Sequence, residues 1–247
     1  MHLDPSLAAL RPLGGFFVLR TLADPSGGAG PRRLPALADG YAEATPHDRD
    51  PLAARVAVVG ERLRTAEPRV AASLAQQGLA ARLWSAALGC AVLYGRLPDL
   101  DPGLLRWDVD AAAPDDLWLT EVRPLPGDAP ALAGAVLHGH LEPLTAALRA
   151  RYGVAAGLLW GNAGSALAAT ARELGRWARA HGRGDVADRT VALTAELFAH
   201  PLLHATGPRT GTSFRRRSCC LYYRVPGGGL CGDCCLTRPP SPAPPAR

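Results

Sequence analysis

Five of the six cysteines in this 247-residue chain fall between positions 219 and 235. They are Cys219, Cys220, Cys231, Cys234 and Cys235, spaced as an adjacent pair, ten residues, one Cys, two residues, and a second adjacent pair. Cys231-Gly232-Asp233-Cys234 has the spacing of a metal knuckle. Two intervening residues let both sulfurs reach one centre, and Gly232 permits the tight backbone. LYYRV reads as a strand, PGGG as a turn and Leu230 as the return. That turn would carry Cys219 and Cys220 back against Cys231 and Cys234.

Three chemistries could hold such sulfurs. A chain of this size builds a core without cross-links, and cytoplasmic thiols stay reduced, so disulfides are the weakest reading. A structural zinc site takes four cysteines, but usually from two CxxC pairs. Here the first pair is adjacent. Neighbouring residues on a strand point to opposite sides, so both reach one small ion only if the backbone bends sharply. A two-iron cluster accepts a wider set of thiolate directions. Spacing alone leaves zinc and iron–sulfur open.

Charge is concentrated in the same region. All 27 basic residues are Arg, and the formal net charge is +5. Residues 209–247 hold seven Arg against one acid, Asp233, whereas the other 208 residues carry 20 Arg against 21 acids. A [2Fe–2S] core with four thiolates carries about −2 oxidised and −3 reduced. Arg215, Arg216, Arg217 and Arg224 could offset that charge, and nearby positive charge raises the potential. The patch is short and the remainder slightly acidic, so no nucleic-acid partner is expected.

The body reads as mainly α with a small β element, an α+β fold. Gly15–Leu22 looks like a strand, and residues 23–50 like loop. Helices are expected over Leu52–Thr65, from Pro68 to about Gly95, and over Ala131–His140, Pro143–Tyr152 and Gly157–His181. A last helix has Asp185 as cap, Val186, Thr190, Leu193, Leu197 and His200 on one face, and Pro201 as its stop. Between them, LLRWDVD and DLWLTEV alternate as two strands of a hairpin. The expected organisation is a helical domain over 1–205, a linker over 206–218, the cysteine segment over 219–236 and a disordered Pro-rich tail over 237–247. The N-terminal stretch has no apolar core of a signal peptide, and no uncharged run suits a membrane span, so the expected setting is cytoplasmic.

Cys90 sits in an apolar run and reads as core. His138 and His140 do not share a helix face, and they could be helix-end polar residues or contact a ligand. Asn162 lies in the apolar stretch LLWGNAGSAL, so a buried hydrogen-bonding role or a substrate contact is expected. Trp84 and Trp160 read as core, with an aromatic cradle as the functional alternative. His200 and His204 would satisfy helix-terminal carbonyls. No catalytic triad or carboxylate pair stands out.

The cysteine segment resembles the C-terminal iron–sulfur region of the FhuF family, the ferric-siderophore reductases. That family's pattern falls without a gap on Cys219, Cys220, Cys231 and Cys234. Arg217-Ser218 before it, and Pro226-Gly227-Gly228-Gly229 and Gly232-Asp233 within it, are also similar. The segments AASLAQQGLAARLWSAALG, LHGHLEPL and LLWGNAGSAL resemble FhuF-like stretches, extending the likeness over most of residues 50–236. The helical module also looks related to the C-terminal part of the IucA/IucC siderophore synthetases, without a phosphate-binding glycine motif. Cys235 departs from the pattern and could compete with Cys234.

The resemblance implies a [2Fe–2S] cluster on those four cysteines and one-electron reduction of siderophore-bound Fe(III) to release Fe(II). No G-x-G-x-x-G fingerprint is evident, so electrons would come from a partner such as a ferredoxin or a flavin reductase. Peripheral association with a membrane near a transporter is compatible with this reading. The alternative is a zinc-stabilised, non-redox binding module of a siderophore pathway.

Overall fold

Helix α3 (Pro68–Tyr94) is buried along nearly its whole length, and the other elements are arranged around it. Pro68 opens it at the first helical position and Gly95 closes it with φ +74°, as the sequence predicts. The computed structural model describes residues 3–22, 34–42 and 50–240. Helix makes up 54% and strand 9%, which bears out a mainly α fold with a small β element.

Four further helices stand close to their expected places: α2 (Pro51–Arg62), α5 (Glu142–Tyr152), α6 (Ala156–Ala180) and α7 (Gly184–Ala199). Helices α3 and α6 pack against each other, with small residues such as Ala72, Ala80 and Ala87 of α3 and Ala163 of α6 buried. Polar cross-links join them at Gln76 to the Leu159 carbonyl (3.2 Å) and Ser85 to Thr170 (3.2 Å). Helix α7 packs against α6 and also touches α3, with Val186, Thr190, Leu193 and Leu197 buried.

The hairpin expected from LLRWDVD and DLWLTEV is present as β3 (Leu105–Trp107) and β4 (Leu117–Leu119), antiparallel with Leu105 opposite Leu119. Strand β1 (Arg20–Thr21) adds to β4 in parallel. A second pair, β2 (Arg96–Pro98) with β5 (Pro124–Pro126), joins segments whose prolines read as punctuation.

Several expectations are corrected. Only Arg20–Thr21 of the Gly15–Leu22 strand forms. The carbonyls of Gly15, Phe16 and Val18 accept instead from the buried Arg82 guanidinium, which also pairs with Asp116 at 2.8 Å. Within the stretch read as loop, α1 (Leu37–Tyr41) forms, started by the Asp39 carboxylate accepting from the Ala36 amide and anchored by buried Leu37. The rest of that stretch, 23–33 and 43–49, lies outside the described residues. The two helices expected over 131–152 are one continuous run. Helix α4 (Ala129–Leu132) passes into a π-helical stretch, Ala133–Leu141, and then into α5. The wider π turn lets the chain continue past Pro143, which lacks a donor. Asp185 does not cap α7. The helix starts one residue earlier, and Asp185 pairs with Arg183 at 2.7 Å.

Residues 206–218 fold back over α6. Strands β6 (Arg209–Thr210) and β7 (Ser213–Phe214) form a small hairpin, with Thr206, Phe214 and Arg216 buried. The last part of the Pro-rich tail, 241–247, lies outside the described residues.

Candidate metal-cluster site

Helix α6 presents Asn162, Ser165 and Arg172 toward the C-terminal segment. Their spacings of three and seven residues place them on one face. Ser73 on α3 faces the same seam. The Asn162 amide donates to the Ser73 carbonyl (2.9 Å) and hydroxyl (3.1 Å), and the Ser73 hydroxyl donates to the Cys220 carbonyl (2.8 Å). The Asn162 carbonyl accepts from the Arg216 guanidinium. Below it, the Asp233 carboxylate accepts from the Ser165 hydroxyl (2.5 Å) and forms a two-pronged pair with Arg172 at 3.1 and 3.2 Å. The Asp233 carbonyl accepts from the Arg216 amide at 2.9 Å. Ser73, Asn162, Ser165, Arg216 and Asp233 are all buried, so the segment rests on a hydrogen-bonded polar seam between two apolar helices.

Close approach depends on missing side chains. A methyl group at Gly161 would collide with the Ser218 hydroxyl, which bonds the Gly157 carbonyl at 2.8 Å. One at Gly164 would press on Thr206 and Phe214.

The cysteine segment is not a strand and return. Leu221 takes a left-handed conformation (φ +69°), and Tyr222–Arg224 form a 3-10 turn. The reason lies in where the amides go. The Leu221 amide donates to the Cys219 sulfur at 3.3 Å, and the Tyr222 amide faces the Cys220 sulfur. The Asp233 amide faces the Cys231 sulfur, and the Leu236 amide donates to Cys234 at 3.4 Å. Each of these sulfurs is thus served by the amide two residues on. The Cys235 sulfur is faced by its own amide, and among the described residues no amide two positions on is directed at it.

The Cys220 and Cys231 thiols interact directly, and their acidities are pushed apart. Accepting from Cys231, with help from the Arg216 charge, brings the Cys220 thiol down to about 7, whereas donating that bond and burial push Cys231 up. Burial also raises Cys219 and Cys235. Cys219, Cys231, Cys234 and Cys235 lie within electrostatic range of one another. Among the described residues, no three His, Cys, Asp or Glu side chains converge as they would on a single metal ion.

The surroundings fit an anionic cluster. Arg216 is 2% exposed, and its Nε and Nη2 atoms have no partner among the described residues. Soft sulfur donors with amides aimed at them are the chemistry that iron–sulfur cores require.

The other singled-out residues lie elsewhere. Cys90 is fully buried in the core, where burial raises its thiol strongly. Trp84 is buried and Trp160 packs against the core. His140 is buried between Tyr41 and the Leu100 carbonyl, whereas His138 is exposed beside Glu142 and the His200 ring. Neither His200 nor His204 caps α7 through its ring. His200 accepts from the Leu202 amide, and His204 bonds the Pro201 carbonyl. Sequence reasoning missed Ser73, Ser165 and Arg172. Their signal was polar residues at helical spacing inside apolar runs.

A cysteine-rich segment docked on a helical body defines the class, a metal-cluster protein. Residues 216–236 match the FhuF 2Fe-2S C-terminal domain, and residues 80–206 match the family described as "Ferric iron reductase FhuF-like transporter". The second match covers half of the chain, which therefore belongs to the FhuF-like ferric iron reductase family. Its activity is ferric-siderophore reduction and its cofactor a [2Fe–2S] cluster, so the zinc-stabilised module is set aside. No curated protein matches the chain. Among the described residues, no helix is long and apolar enough to cross a membrane.

Proposed function

We propose that Cys219, Cys220, Cys231 and Cys234 hold the [2Fe–2S] cluster and that Cys235 is a spare thiol. The observation that carries this is the amide two residues beyond each of the four, against none in that position for Cys235 among the described residues. When bound, the cluster supplies one electron at a time. The chain's own residues supply the setting. The amides donate to the sulfurs, the α3–α6 seam fixes the Cys220 backbone, and Asp233 is neutralised by Arg172. Hard siderophore oxygens suit Fe(III) and hold Fe(II) far less well, so reduction frees the metal.

The electron donor is a separate acidic protein, a ferredoxin or a flavin reductase, acting in the cytoplasm where thiols stay reduced. Arg215, Arg217 and Arg238 are exposed beside the cysteine segment and suit such a partner. The division into a helical body and a short cluster-binding segment from residue 219 is part of the same proposal.

The test is a single-Ser series at the five cysteines, purified anaerobically, with iron and sulfide analysis and EPR after dithionite. Wild type and Cys235→Ser should hold about two iron and two sulfide per chain. The other four variants should lose most of both. Retention in Cys234→Ser with loss in Cys235→Ser would overturn the ligand assignment.

A further inference from the structure

We propose that Arg216 is the fixed counter-charge of the cluster, a positioning residue that raises its reduction potential, and that Asn162 holds it in place. This rests on the cluster reading above. Of the basic residues around the cysteines, Arg216 is buried, whereas Arg215, Arg217, Arg224 and Arg238 are exposed. Exposed charges are screened by solvent, and Arg224 is already paired with Glu67 at 2.8 Å.

A guanidinium cannot shed its proton, and burying it without an anion is costly. No carboxylate pairs with Arg216 among the described residues. The nearby Asp233 carboxylate is fully occupied by Ser165 and Arg172. One Arg216 nitrogen is spent on Asn162, which Ser73 anchors from the neighbouring helix. Nε and Nη2 are left buried and unpartnered. The Arg216 amide bonds the carbonyl of Asp233, between Cys231 and Cys234, at 2.9 Å, and the Arg216 charge lies within electrostatic range of the Cys220, Cys231 and Cys235 sulfurs. The missing anion is therefore on the sulfur side. A four-thiolate [2Fe–2S] core gains one negative charge on reduction, so a cation held rigidly beside it stabilises the reduced form more than the oxidised form.

The test compares Arg216→Gln, which removes the charge, with Arg216→Lys, which keeps it. Redox titration of the purified holoprotein is followed by visible absorption and EPR. Arg216→Gln should shift the reduction equilibrium at least tenfold toward the oxidised form, about 59 mV for one electron. Arg216→Lys should recover most of that shift, and Arg224→Gln should move the equilibrium less than threefold. If both Arg216 variants match wild type, or both fall equally, the proposal is overturned. Should Arg216→Gln fail to retain a cluster, iron and sulfide content decides. Arg216→Lys at wild-type content supports the role of charge, and equal loss in both variants overturns it. Wild type lacking iron and sulfide would overturn the cluster reading itself, and this proposal with it.

Discussion

The Ser73 hydroxyl on α3 donates a 2.8 Å hydrogen bond to the Cys220 carbonyl, 147 residues further along the chain. It is the direct link between the central helix and the backbone of a proposed ligand. Ser73→Ala leaves a buried carbonyl unpaired and loosens Asn162, which also bonds the Ser73 oxygen. Leaving such a group unsatisfied costs about 1–3 kcal/mol. We expect a lower unfolding midpoint and a several-fold faster loss of cluster absorbance in air, measured side by side with wild type.

Gly228 separates packing from mere flexibility in the PGGG turn. A methyl group there would run into the carbonyl oxygens of Tyr222 and Val225, both backbone atoms that cannot swing aside. At the adjacent Gly229 it would meet nothing within 4 Å. Gly228→Ala should therefore lower stability by about 1–3 kcal/mol and reduce iron content, whereas Gly229→Ala should leave both near wild type. Equal effects of the two substitutions would show that backbone freedom, not space, is what the turn requires.

His140 makes stability depend on pH. The Leu100 carbonyl can only accept, so Nε2 carries the proton, and Nδ1 accepts from the Tyr41 hydroxyl at 2.8 Å. Burial pushes this imidazole down to about 4 from its ordinary 6.5. The unfolded chain thus binds a proton that the folded one refuses as pH falls through that window. Stability is held above about pH 6.5 and lost toward pH 4, by about 2 kcal/mol at pH 5. His140→Gln should remove that component, and denaturant titrations at pH 7 and pH 5 on both proteins measure the difference.

The helical body was legible because α2, α3, α6 and α7 each carry a long apolar pattern with a clear start or stop, such as Pro68 and Gly95. The cysteine spacing was legible as a metal motif because four thiols so close in sequence have few other uses. What sequence could not show was competition for backbone groups. LYYRV has strand propensity, yet its first two amides are directed at sulfurs and the Arg224 and Val225 amides close a turn on the Leu221 and Tyr222 carbonyls. Gly15–Leu22 has the same propensity, yet Arg82 claims its carbonyls. Asn162 was legible as a buried amide, but its partners, Ser73 and Arg216, lie 89 and 54 residues away. Asp233 looked like a spacer in CGDC, and only its contact with Ser165 and Arg172 shows that it fastens the segment to α6.

Arg215 and Arg217 should set the rate at which an acidic donor delivers electrons. Both are exposed next to the cysteine segment, and Arg215 already holds the Cys235 carbonyl at 3.1 Å. Exposed charges of this kind steer encounter and do little for stability. With a reduced ferredoxin as donor, the second-order rate should fall about three- to tenfold between 50 and 300 mM salt, because screening shortens the field of the patch. Arg215→Gln with Arg217→Gln should lower the low-salt rate and flatten the salt dependence, without changing iron content. Stopped-flow absorbance at several ionic strengths reads both effects. A rate indifferent to salt and to these substitutions would exclude an electrostatically guided donor and point to an uncharged reductant acting directly on the site.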